Sequence, residues 1–198
     1  MNNILYHVSP IGNLTTLSPR VSTHGKPYVY ATKSLAVALL FGSDRSHGDF
    51  DGIYGGGTAN KPIPYFYEAY EGSFQRRFEG CSCYIYEVSA DTFEEGLTSY
   101  KAEVISKVEV PVLKCTKVDD LYKKLLQLNE EGQFELKLYK KDNPKYVTMI
   151  NDHIKDRLRY VWKDDIFKQT TLYAYCMEHY PLIMNQHEQE LKVEQTKN

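Results

Sequence analysis

His7 in the run Leu5, Tyr6, His7, Val8, Ser9, Tyr30 in the run Tyr28, Val29, Tyr30, Ala31, Thr32, and Glu103 in the run Ala102, Glu103, Val104, Ile105 are the residues whose types could act together chemically. Each lies in a short stretch of β-branched and aromatic composition and is expected on a strand. A histidine, a tyrosine and a glutamate so disposed suit a site that splits the glycosidic bond between a sugar and a flat cationic heterocycle. Breaking that bond leaves an oxocarbenium-like sugar, the kind of positive charge that glycoside hydrolases stabilise with a carboxylate. Taken singly, each residue has a structural reading. A lone histidine in residues 4–8 is more often bonded to a carbonyl, Tyr30 is one of 17 tyrosines, and Glu87 on another strand-like run competes with Glu103. Only the conjunction favours chemistry.

The elements that must hold these residues follow from pattern. Residues 4–8 read as a first strand ended by Ser9 and Pro10, and residues 28–31 as a second. Thr32 offers an N-cap hydroxyl to an apolar helix over 33–41 that stops at Gly42. Residues 43–60, with Asp44, Asp49, Asp51 and five glycines, are expected to form a long mobile insertion without the spacing of a phosphate-binding loop. Residues 65–70, 83–88, 103–106 and 108–117 supply further strands, the last broken at or before Pro111, with Val108, Val110 and Val112 on a buried face. From Val118 the texture becomes helical. Asp119 or Asp120 caps a helix closed by Gly132, Asn143 and Pro144 open a second, and a third is expected over 164–180 with Ile166 and Phe167 on its apolar stripe. The fold class is therefore α+β, with a β-rich core over 1–118, a helical C-terminal extension over 119–184 packed on the core, and a polar, disordered tail over 185–198.

Composition bounds the function. With 198 residues, 42% hydrophobic and 13% aromatic, the chain can bury one sizeable core. A net charge of −2 gives no global basic field, so nucleic acid is not expected as an obligatory partner. The first residues lack the pattern of a secretory leader and no apolar run approaches membrane-spanning length, so the expectation is a cytoplasmic protein with no membrane partner. Cys81, Cys83, Cys115 and Cys176 show neither disulfide-rich spacing nor paired C-x-x-C knuckles, so they are expected as reduced thiols and no metal is assigned.

The order Tyr6-His7-Val8-Ser9, then Tyr28-Val29-Tyr30-Ala31-Thr32 leading into an alanine-containing helix, then the 83–88 strand, Glu103-Val104-Ile105-Ser106-Lys107 and Val110-Pro111-Val112 resembles the ADP-ribosyltransferase fold of the histidine-tyrosine-glutamate class, that of diphtheria toxin and the poly(ADP-ribose) polymerases. The resemblance covers the first half to two-thirds of the chain. It implies a mostly antiparallel core and an NAD-dependent transferase, with NAD as co-substrate and an acceptor, a protein among the candidates, that the sequence does not identify. Glu103 would be the catalytic residue, holding the hydroxyl of the nicotinamide ribose and the developing cation. His7 would hydrogen-bond a ribose hydroxyl, Ser9 would assist the nicotinamide amide, Tyr30 would stack on the nicotinamide ring, and Thr32 completes the cofactor-binding set.

The chain departs from that pattern in three places. Val8 stands where polymerase-type members often carry glycine, the helix after Thr32 has no second tyrosine for a stacking sandwich, and Lys101 occupies the position where arginine-specific transferases carry a second acidic residue. Arginine is thus not the expected acceptor. Two other functions remain open at this point: a catalytically inactive binding module on the same fold, and an NAD-dependent RNA phosphotransferase, for which Arg76 and Arg77 are the only adjacent basic pair before Glu103.

Overall fold

The computed structural model describes residues 4–21, 25–162 and 165–195. It is a mixed α+β structure whose main sheet is antiparallel at every pairing among the described strands. The strands are β1 (Ile4–Ser9), β2 (Thr16–Leu17), β3 (Arg20–Val21), β4 (Pro27–Thr32), β5 (Gly52–Gly55), β6 (Tyr65–Glu68), β7 (Cys83–Ser89), β8 (Glu94–Glu95), β9 (Glu103–Ser106), β10 (Val110–Val118) and β11 (Glu135–Lys137). The main sheet runs β2-β10-β7-β1-β4-β9-β8, with β3 also paired to β4, and β11-β6-β5 form a separate three-stranded sheet. The helices are α1 (Leu35–Leu40), α2 (Ser73–Phe78), α3 (Leu121–Glu130), α4 (Pro144–Val161), α5 (Thr171–His179) and α6 (Pro181–Gln195).

The chain divides into two compact units, one of residues 1–46, 54–66 and 75–136, the other of 47–53, 67–74 and 137–198. α3 belongs to the first unit, where Leu121, Leu125 and Leu128 are buried and the Leu121 amide donates to the Cys81 carbonyl. Period-two alternation fills that unit's core, with Leu5, Val29, Ala31, Tyr86, Val88 and Val104 in one cluster.

The second unit is built on α4, whose Asn143 side chain caps the first turn by accepting from the Tyr146 amide at 3.2 Å, as the Asn-Pro pair predicts. Ile150, Ile154 and Leu158 recur every fourth residue and are buried together with Phe50 and Ala69. Residues 43–60 are consequently not a structureless insertion. They hold a 3-10 turn, Gly48–Phe50, and β5, because Phe50 is an apolar anchor and the buried Asp51 carboxylate accepts from the His47 amide and from the Tyr175 hydroxyl. The expected helix over 164–180 is split into a 3-10 turn, Asp165–Gln169, and α5, since the Thr170 hydroxyl caps a new helix by accepting from the Tyr173 amide. Ile166 is exposed there, and Asp164 lies outside the described residues. The expected polar tail is α6, held by Ile183, Met184 and His187, which are buried at spacings of one, three and four; residues 196–198 lie outside the described residues.

Two local expectations in the first unit also change. Ser34, not Thr32, caps α1, accepting from the Val37 amide, while the Thr32 hydroxyl accepts from the Ser34 amide and ends β4. Pro111 lies inside β10, second in the strand, where its missing N–H is tolerated and the pairing Pro111↔Thr16 reaches only the short β2. Val110 is buried as expected, whereas Val108 precedes the strand and is exposed.

Candidate functional site

β1 pairs with β7 through six residues, from Ile4↔Ser89 to Ser9↔Tyr84, but with β4 only at Tyr6↔Thr32. β4 is in turn paired with β9 through four, Val29↔Ser106 to Thr32↔Glu103. The main sheet is thus two well-knit flanks joined narrowly at Tyr6 and Thr32. A cleft of about 300 Å³ lies at that junction, lined by His7, Tyr30, Thr32 and Glu103 together with Tyr6, Val8, Ala31, Val37, Ala38, Phe41 and Tyr100.

Strand register explains most of this convergence. Side chains alternate along a strand, and residues opposite each other across an antiparallel pair share a face. Thr32↔Glu103 and Tyr30↔Ile105 therefore give Tyr30, Thr32 and Glu103 a common face, while Val29, Ala31 and Val104 fill the core on the other. His7 enters from β1, and its Nδ1 lies 2.7 Å from the Tyr30 carbonyl oxygen across the gap that the β1–β4 ladder leaves. A carbonyl only accepts, so Nδ1 carries the proton. Burial, followed by the nearby positive charge of Arg20, holds the His7 pKa below 6.5 despite that hydrogen bond. The ring is a neutral imidazole at neutral pH, with Nε2 left as an acceptor.

The wall opposite is aromatic. α1 contributes Val37 and Ala38 and ends at Phe41, which is half-exposed and meets Tyr54 edge-on at 5.9 Å and Tyr100 at the same centroid distance. The Glu103 amide donates to the Tyr100 carbonyl at 2.9 Å, so one tight turn carries both Tyr100 and Glu103 into the cleft. Burial and then the Glu103 charge raise the Tyr30 hydroxyl pKa. Burial, then neighbouring tyrosines and Glu103, raise that of Tyr100 further. Both remain neutral phenols. None of the described lining residues is Lys or Arg, and Glu103 is the one carboxylate among them.

Four of the five expected site residues, His7, Tyr30, Thr32 and Glu103, thus share one cleft. Ser9 is not among its lining residues; it is buried, and its hydroxyl accepts from the Ile11 amide at 3.1 Å. Glu87 lies on β7 and pairs with Lys114 across the strands at 3.0 Å. No sequence pattern singles out Phe41 or Tyr100. Phe41 reads as the last residue of a buried helix, and Tyr100 sits in a turn whose only signal is its position three residues before Glu103.

Among the described residues no group of three or more His, Cys, Asp or Glu could hold a metal, and no helix is long and apolar enough to cross a membrane. All four cysteines are free thiols, with burial pushing Cys83 up to about 11 and Cys176 up to about 12. Comparison of the chain with known protein families, with curated proteins and with solved structures finds no match.

Proposed function

We propose that the cleft binds NAD, cleaves its nicotinamide glycosidic bond and transfers ADP-ribose to an acceptor other than arginine, on a first unit of ADP-ribosyltransferase-like fold. The observation that carries this reading is the shared cleft of His7, Tyr30 and Glu103, three residues far apart in sequence. Its electrostatics support the same ligand. A cleft whose described lining residues include one carboxylate, several aromatic rings and no Lys or Arg suits a pyridinium, which is cationic while bound to ribose and neutral once it leaves.

Each residue then has a defined task. Glu103 accepts from a hydroxyl of the nicotinamide ribose and stabilises the cation as the C–N bond lengthens. Neutral His7 accepts a ribose hydroxyl at Nε2, its ring fixed by the Nδ1–H bond to the Tyr30 carbonyl. The Tyr30 ring stacks on the nicotinamide, and Phe41 supplies a second aromatic surface at the end of α1. Lys101, two positions before Glu103, offers no second carboxylate to activate an arginine.

Phosphate transfer from RNA has less support. Arg77, half of the adjacent basic pair, is buried, and its guanidinium donates to the Leu40 carbonyl at 2.8 Å. The experiment for the preferred reading is release of nicotinamide from NAD by the wild-type protein and by Glu103→Gln, with NAD binding measured calorimetrically on both. Binding without release, unaffected by Glu103, would favour a binding module instead.

A further inference from the structure

Tyr100 lines the cleft but has no part in the proposed cleavage. Its hydroxyl oxygen is shielded from solvent and has no hydrogen-bond partner among the described residues. A buried polar group left unpaired is destabilising, and such groups in native structures commonly mark a site completed by something else. The ring is held in place by the contact with Phe41 at 5.9 Å, and the backbone by the Glu103 amide bond to the Tyr100 carbonyl. We propose that Tyr100 is a further ligand-binding residue of this cleft, its hydroxyl donating a hydrogen bond to an uncharged oxygen on the nicotinamide ribose.

The inference rests on NAD being the ligand. Given that, the chemistry selects the ribose. A neutral phenol whose hydroxyl has no hydrogen-bond partner among the described residues is free to donate, and burial, then Tyr54, Tyr65 and Glu103, raise its pKa, so it stays protonated. An acceptor near Tyr100 and Glu103, which share the cleft lining, is an uncharged hydroxyl or ring oxygen in preference to a phosphate, because none of the described lining residues is a cation.

The test is calorimetric titration of wild type and Tyr100→Phe with NAD and, separately, with nicotinamide, alongside thermal unfolding of both unliganded proteins. The variant keeps the ring and removes only the hydroxyl. Its NAD Kd is expected to rise about three- to tenfold, the loss of one hydrogen bond. Nicotinamide affinity should be unchanged, and the unliganded melting temperature unchanged or higher. Unaltered NAD affinity overturns the assignment, as does a variant that melts earlier or fails to fold, which would make the hydroxyl structural. An equal loss for nicotinamide overturns the ribose as its partner. Absence of NAD binding by the wild type sinks the proposed function and this inference together, whereas equal NAD affinity in both proteins sinks Tyr100 alone.

Discussion

The Nδ1–H of His7 donates to the Tyr30 carbonyl at 2.7 Å, joining β1 to β4 just where the ladder between them has a single residue pair. That bond fixes the tautomer, and burial keeps the ring neutral. Because the folded pKa lies below 6.5, His7 binds fewer protons in the folded chain than in the unfolded chain as pH falls below 6.5. Its contribution to stability is therefore full above 6.5 and declines in acid through the folded pKa. NAD affinity should be flat through neutrality and fall once Nε2 is protonated. Calorimetric titration across pH in wild type and His7→Gln checks this. The variant should lose the acid limb, and a wild-type affinity that rises in acid would refute the neutral assignment. Denaturant unfolding should show His7→Ala less stable by about 0.5–1.5 kcal/mol, one hydrogen bond.

Tyr30 contributes a face, so the ring matters more than the hydroxyl. Tyr30→Ala should weaken NAD binding by about 1–3 kcal/mol, the range for aromatic stacking on a base. Tyr30→Phe should retain most of the affinity. Equal losses in both variants, read by the same titration, would mean that no stacking occurs.

Gly57 tests the wall formed by α1. It has φ +71°, and a Cβ there would lie 2.5 Å from Val37 Cγ2, a buried methyl of the cleft lining. The left-handed backbone alone costs a β-carbon about 1 kcal/mol, and the clash adds to it. Gly57→Ala should lower the melting temperature and, by displacing Val37, raise the NAD Kd. A neutral effect on both would show that the segment carrying Gly57 yields without moving α1.

In the second unit the Asn143 cap offers a purely structural control. Asn143→Ala removes the acceptor for the Tyr146 amide and should cost about 1 kcal/mol of that unit's stability. Nicotinamide release should be unchanged, since Asn143 does not line the cleft. A loss of release would place part of the chemistry outside the residues named here.

What could be read from the chain follows what is local. Strands with β-branched alternation, the Asp120 and Asn143 caps and Gly132 beyond α3 are short-range signals, and they appear within a residue or two of where pattern puts them. His7, Tyr30 and Glu103 are legible as types in order, but their convergence depends on long-range contacts that no local pattern encodes, the β4–β9 register that puts Tyr30 and Glu103 on one face and the His7 bond to the Tyr30 carbonyl across the narrow β1–β4 junction. The same limit explains residues 43–60 and α6. Glycine and polar content made both look unstructured, while single buried side chains, Phe50 and Asp51 in one and Ile183, Met184 and His187 in the other, decide otherwise. Ser9 is not among the described cleft-lining residues, and its hydroxyl instead accepts from the Ile11 amide.

The most direct measurement is nicotinamide release from NAD by wild type and Glu103→Gln at matched folded concentration. Release by the wild type that falls about a hundredfold to a thousandfold in the variant, with NAD binding and thermal unfolding largely retained, is the predicted result. Release that is undiminished in Glu103→Gln, or wild-type protein that neither binds nor cleaves NAD, would contradict the assignment of this cleft.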